Sequence, residues 1–105
     1  MQLTSFLDSG KLTVLLSGEI DHHRAKNYIQ IIGGKIEAYN PNVCILDFQD
    51  VTFMDSSGIA VVINAMRAMS RIEGKVELVG IKKQPMKIFQ MSGIDKLLEI
   101  KEAVS

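Results

Sequence analysis

The chain has only one cysteine and no excess of basic residues, and these two shortages exclude several classes of protein. Its single cysteine, Cys44, excludes an intrachain disulfide and a cysteine-rich zinc site. Its 12 basic and 12 acidic residues cancel, which argues against a nucleic-acid-binding protein, since such proteins need a basic surface. No apolar run approaches the roughly 20 residues that span a bilayer, and the N-terminal residues contain no signal-peptide core. We therefore expect a cytoplasmic protein that contacts neither membranes nor nucleic acid directly.

Short apolar runs alternate along the chain with longer amphipathic segments, and this alternation predicts an α/β fold. A length of 105 residues suits a single domain, 1–105. A turn at residues 8–11 predicts an antiparallel hairpin, and the later strands are expected to be parallel, in a mixed sheet of four to five strands with helices packed on it. Strands are predicted at 2–7, 12–17, 43–48, 76–79 and 97–100, and helices at 22–39, 57–71 and 85–91.

The segment Asp21-His22-His23 stands where the second predicted strand gives way to the first helix. Asp21 is expected to cap that helix. A metal site is disfavoured because three adjacent residues rarely converge on one ion and no distant Cys or His completes the set. Further along this helix, Gly33 and Gly34 each cost about 1 kcal/mol relative to alanine, so a kink or break is expected there.

The tetrapeptide Asp55-Ser56-Ser57-Gly58 falls where a buried strand is followed by the second helix. Backbone N–H groups at a helix start lack partners and favour negative charge. A serine at this position can cap the helix, act as a nucleophile or carry a phosphate. Catalysis is disfavoured, because only His22 and His23 could serve as base and the Gly-x-Ser-x-Gly pattern of a hydrolase elbow is absent. Capping by Asp55 or Ser56 is expected in any case.

The second helix shows which of its sides the sequence predicts to be exposed. Asn64, Arg67 and Arg71 recur at intervals of three and four, which is typical of a solvent-facing stripe. Extended toward the N-terminus, this stripe reaches Ala60 and Val61, so small apolar residues would lie exposed beside the serines and suit a partner contact. Alternatively, a neighbouring loop covers them. The opposite side is expected to pack on the sheet: Ile59, Ile63, Met66 and Ile72.

Three segments together resemble the signature of the STAS-domain anti-sigma factor antagonists. They are 18–23 (GEIDHH), 51–59 (VTFMDSSGI) and 91–94 (MSGI). Their order and spacing agree over residues 1 to about 101, and the first two are most similar to the sporulation antagonists of the anti-sigma F factor. The resemblance implies a single STAS domain. The chain departs from the family pattern at Ala60, where many members have glycine.

The resemblance implies a partner-switching regulator of transcription that is not an enzyme and needs no cofactor. In this family the unmodified antagonist binds an anti-sigma factor that is also a serine kinase, and thereby releases the sigma factor. The kinase then phosphorylates the antagonist, which dissociates, and a PP2C-type phosphatase reverses the modification. By position, the phosphorylated serine is Ser56. The partner-binding residues, carried over or drawn from the neighbouring helix face, are expected to be Glu19, Asp21, Asp55, Ser57, Gly58, Ala60, Val61 and Asn64.

Two other functions stay open on the residues alone. One is a STAS interaction module that is not phosphorylated and belongs to another signalling or transport system. The other is a small nucleotide-binding or hydrolytic protein, although Gly33-Gly34 is not part of the G-x-x-x-x-G-K-[ST] pattern of a phosphate-binding loop.

Overall fold

One mixed sheet carries the helices in the computed structural model, which describes residues 3–101. The elements in chain order are β1 (Thr4–Asp8), β2 (Lys11–Ile20), α1 (His22–Tyr39), β3 (Val43–Met54), α2 (Ser57–Ser70), β4 (Lys75–Val79), α3 (Lys83–Ser92), a 3-10 turn (Ile94–Lys96) and β5 (Glu99–Lys101). The strand order is β1-β2-β3-β4-β5, with β1 antiparallel to β2 and the other pairs parallel. The predicted mixed α/β fold is confirmed.

The largest differences between prediction and structure concern the ends of two strands and one predicted helix break. Strand β2 continues past Gly18, whose positive φ of 74° lies at a register shift in the β2–β3 ladder, so the strand bulges instead of ending. Strand β3 reaches Met54 instead of residue 48. The expected break at Gly33 and Gly34 is wrong, because α1 is continuous from His22 to Tyr39. Burial of Tyr28, Ile32 and Ile36 outweighs the modest glycine cost.

The core lies between one face of the sheet and the helices. Residues in register in the first halves of β2 and β3 alternate in burial, as the period of a strand requires. Phe48 of β3 meets Phe89 of α3 edge to face, with ring centroids 5.4 Å apart, so α3 shares the face that α1 and α2 cover. The fully buried strand residues of this face include Leu12, Val14, Leu16, Cys44, Leu46, Phe48 and Leu78.

The opposite face of the sheet buries one acidic side chain, Glu77, which is 8% exposed. Its two carboxylate oxygens lie 3.4 Å from Lys75 Nζ and 3.3 Å from Lys101 Nζ. Burial opposes ionisation of Glu77, but hydrogen bonds and charge from Lys101 and Lys75 outweigh it and lower the pKa of the carboxyl group. The ion pairs of Glu77 with Lys75 and Lys101 therefore stabilise the fold only while Glu77 is ionised.

Replacement of Glu77 by glutamine is expected to lower the free energy of unfolding at neutral pH by about 1 kcal/mol. Because the pKa is lowered in the folded chain, this contribution is present above the unfolded-state pKa and is lost as the pH falls through the folded-state pKa. Denaturant titrations at pH 7 and at acidic pH measure the contribution of Glu77 when it is ionised and when it is protonated. Glu99→Gln is the matched control, because Glu99 is 58% exposed and should contribute little. Equal stabilities of Glu77→Gln and the unmodified chain at pH 7 would contradict the assignment.

Candidate functional site

The ends of β2 and β3 bring the two sequence segments singled out above to one edge of the sheet. The parallel ladder continues to the pair Ile20 and Met54, and Asp55 N donates to Ile20 O at 3.1 Å. Each strand is followed directly by a helix, so Asp21 and Asp55 both stand at helix starts. Both helix starts therefore lie beyond the carboxyl ends of adjacent parallel strands, where open α/β sheets bind ligands.

Local hydrogen bonds shape the start of α1. Asp21 Oδ1 accepts from Arg24 N at 2.8 Å, which confirms the predicted cap and is the main cause of the lowered pKa of Asp21. The Arg24 guanidinium donates to the carbonyls of Ser17 and Glu19, both at 3.3 Å. Gly18 lies against this guanidinium in a left-handed conformation, where a side chain would collide with it. Arg24 thus helps to hold the bulge that lies next to the exposed Glu19.

Asp55, and not Ser56, supplies the side-chain cap of α2. Asp55 Oδ1 accepts from Ser57 N at 2.8 Å. Ser56 occupies the N-cap position with helical backbone angles (φ −63°, ψ −16°), makes no side-chain capping bond and is exposed. Ser57 is only partly exposed. The hydroxyl of Ser56 is therefore accessible and is not needed for helix capping.

The predicted rotation of α2 is wrong in part, although Arg67 and Arg71 are exposed as predicted. The exposed stripe was expected to include Val61, but its side chain is 1% exposed and belongs to the core. Ile59 and Ile63, expected to face the sheet, pack against the core but stay partly exposed. Because apolar residues surround nearly the whole helix, the polar positions did not define its inward face. The face that packs inward consists of Gly58, Val61, Val62, Ala65 and Met69.

Gly58 is buried and lies against Met54. A Cβ built on Gly58 would collide with the Sδ and Cγ atoms of Met54, whose side chain is 0% exposed. The first turn of α2 thus approaches the end of β3 as closely as it does only because residue 58 has no side chain. Gly58 shapes the site from beneath and offers no side chain to a partner.

A shallow groove of about 390 Å³ separates the starts of α1 and α2. Its α1 wall includes His22 and Lys26, and its α2 wall includes Ser57 and Ala60. Further along α2, Asn64 Nδ2 donates to Ala60 O at 2.7 Å. The side-chain amide of Asn64 is therefore bound to its own helix. Sequence reasoning missed Lys26, because only the packing of α1 on α2 brings it beside the second helix.

A second groove, of about 590 Å³, lies between α2 and the end of α3 and was also missed. Ile59 and Ile63 line one wall, and Leu97, which is 71% exposed, lies on the other. The sequence does contain a sign of this second groove, because α2 has more apolar residues than one buried stripe can hold.

The site presents carboxylates and hydroxyls but no assembled catalytic group among the residues described. Glu19, Asp21 and Asp55 lie at the same edge of the sheet as the exposed Ser56, and within residues 3–101 no hydrogen bond joins Ser56 or Ser57 to a histidine. The same stretch contains no group of three metal-ligating side chains and no helix long and apolar enough to cross a membrane. Such an arrangement suits recognition and modification of the serine by another protein.

Comparison with known proteins gives consistent matches. Residues 7–105 match the model of the STAS domain. An anti-sigma F factor antagonist of Lysinibacillus sphaericus is 30% identical over 83 residues, covering 79% of this chain and 71% of the relative. An anti-sigma-B factor antagonist of Listeria monocytogenes is 25% identical over 97 residues, covering 90% of this chain and 82% of the relative.

The fold is similar to solved structures of the anti-sigma factor antagonist SpoIIAA. The unphosphorylated form superposes with a TM-score of 0.85 at 26% identity, covering 99% of this chain and 90% of that chain. The phosphorylated form, from Bacillus, gives a TM-score of 0.77 at 26% identity, covering 99% and 93%. The predicted STAS fold is confirmed.

Proposed function

Because this chain belongs to the STAS-domain family, we propose that it is an anti-sigma factor antagonist controlled by phosphorylation of Ser56. The unmodified chain binds an anti-sigma factor with serine kinase activity and thereby releases a sigma factor. Phosphorylation of Ser56 ends the interaction, and a PP2C-type phosphatase restores it. Support comes from relatives named as anti-sigma factor antagonists and from SpoIIAA, which has been solved unphosphorylated and phosphorylated.

The single observation that carries the proposal is the exposed, uncapped hydroxyl of Ser56 at the start of α2. Asp55 already caps the helix, so a phosphate on Ser56 breaks no capping bond. A phosphate adds roughly −1.5 to −2 charges at pH 7, which the helix N-terminus tolerates. With Glu19 and Asp21 at the same edge of the sheet, that charge makes the surface strongly negative while leaving the core unchanged. Ser57 suits this role less well, because it is partly buried.

The proposed partner surface spans both helix starts and the groove between them. Acidic residues provide polar contacts, and Ala60 provides a small apolar surface that a partner can approach closely. Gly58 and Val61, which are buried, support this surface from beneath. The residues proposed to face the partner are Glu19, Asp21, Asp55, Ser56, Ser57, Ala60 and Asn64.

We propose a cytoplasmic role in transcription regulation, in which the chain is the kinase substrate and not an enzyme. The kinase supplies ATP, its metal ion and the catalytic base. Sporulation is the proposed setting because the segments GEIDHH and FMDSSG are most similar to the anti-sigma F antagonists, and one such antagonist is 30% identical.

Phosphate mapping tests the proposal. The purified chain is incubated with ATP and an anti-sigma kinase encoded near its gene, and phosphopeptides are located by mass spectrometry. We expect one phosphate on Ser56, loss of incorporation in Ser56→Ala and retention in Ser57→Ala. The reverse behaviour of the two variants would assign the modification to Ser57. Binding without phosphate transfer would favour a STAS interaction module, and ATP turnover by the isolated chain would favour a nucleotide-binding or hydrolytic protein.

A further inference from the structure

The last part of β3 has a strand neighbour on one side only. Strand β4 pairs with β3 no further than the pair Asp47 and Val79, whereas β2 continues to Met54. Because Asp55 N donates toward β2 and successive residues alternate, the N–H and C=O of Met54 point to the side where no strand lies. Met54 is fully buried, so these two backbone groups need partners from the protein.

One side chain supplies both partners. Gln84, in the first turn of α3, accepts from Met54 N through Oε1 at 2.8 Å and donates from Nε2 to Met54 O at 2.8 Å. These two bonds are the pair that a neighbouring strand would make with this residue. The amide of Gln84 therefore takes the place of a missing strand, 30 residues away in sequence.

We propose that Gln84 is a positioning residue for the phosphoacceptor Ser56, an inference that rests on the proposed function. Met54 lies two residues before Ser56 and one before Asp55. With β2 on one side and Gln84 on the other, the strand end cannot shift, and the Asp55 carboxylate stays aligned with Ser57 N. Without Gln84, the end of β3 is held from one side, and the serine loses its fixed orientation toward an incoming kinase.

The first test compares Gln84→Ala with Gln90→Ala, a control in the same helix whose side chain is exposed. Amide hydrogen exchange of the isolated chain is measured at Met54 and, as a reference for global opening, at Leu46 and Leu78. We expect Met54 exchange to accelerate about tenfold or more in Gln84→Ala, with little change at the reference amides and none in Gln90→Ala. Equal acceleration at all three amides would overturn the proposal, because it would mean general destabilisation.

The second test measures phosphate transfer to the same variants. We expect kcat/KM of the kinase to fall about 10- to 100-fold with Gln84→Ala and to stay unchanged with Gln90→Ala. If the unmodified chain accepts no phosphate, the proposed function fails and this inference with it. If the unmodified chain is phosphorylated and Gln84→Ala is phosphorylated equally fast, only the positioning role is overturned.

A third variant separates the two hydrogen bonds and guards against misfolding of Gln84→Ala. Gln84→Glu keeps the shape and the acceptor but, when ionised, loses the donor to Met54 O. Its Met54 exchange, taken as a ratio to the unmodified chain at the same pH, should approach 1 at acidic pH, where the carboxyl group regains a proton, and rise toward neutral pH. A ratio independent of pH would show that the donor bond to Met54 O does not position the strand end.

Discussion

Ser56→Asp is expected to weaken binding to the anti-sigma factor by at least about 100-fold, equivalent to about 2.7 kcal/mol, while the melting temperature changes by less than about 2 °C. The added carboxylate joins Glu19, Asp21 and Asp55 at the same edge of the sheet. It repels negative partner groups and would lose its hydration against apolar ones. The fold is spared because Ser56 is exposed and its hydroxyl makes no capping bond. Calorimetric titration and thermal unfolding measure the two effects separately.

Two variants test whether charge at this position causes the loss. Ser56→Asn has nearly the size of Ser56→Asp without its charge, so it should keep most of the affinity. Ser70→Asp places the same charge on an exposed serine at the other end of α2, about 20 Å away, and should bind normally. Equal losses in Ser56→Asp and Ser56→Asn would assign the effect to bulk. A large drop in melting temperature would mean that Ser56 serves the fold and not a switch.

Gly58→Ala is expected to lower the free energy of unfolding by about 1–2 kcal/mol, although alanine is ordinarily the better helix former. The new methyl group collides with Met54, which is fully buried and cannot move into solvent. Overpacking of this kind typically costs 1–3 kcal/mol, which exceeds the helix-propensity gain of at most about 1 kcal/mol. Urea titrations measure the difference.

Gly33→Ala and Gly34→Ala are the matched controls, since both residues lie in α1. A Cβ at either position meets nothing within 4 Å, so each change should stabilise the chain by about 0.5–1 kcal/mol. Shortening the side chain of Met54 gives a further check. In a Met54→Ala background, Gly58→Ala should lower the free energy of unfolding by less than it does in the unmodified chain. If Gly58→Ala stabilises the chain as Gly34→Ala does, the close approach of α2 to β3 is not a constraint.

The elements were predictable where one pattern dominated. The apolar run 43–48 identified β3, and Asp21 marked the start of α1, because strand burial and helix capping depend on neighbours in sequence. The extension of β3 to Met54 was not predictable. Residues 49–53 are mostly exposed and show no strand period, and they are held extended by their ladder with β2.

The rotation of α2 about its axis could not be predicted from the sequence, for a different reason. Its apolar residues occupy more than one face, so several rotations satisfy the same pattern. Contacts with the sheet and with α1 decide among them and bury Val61 while leaving Ile59 and Ile63 partly exposed. A helix with a single apolar stripe would have allowed the correct prediction.

The sequence by itself determined the alternation of strands and helices, the cap at Asp21 and the motif that places two serines at a helix start. These features depend on hydrogen bonds and periodicities within a few residues. Only the tertiary structure decided which serine is accessible, which face of α2 is buried and that Gln84 holds the end of β3. Those outcomes depend on groups up to 30 residues apart, whose contact exists only after the sheet and the helices have packed.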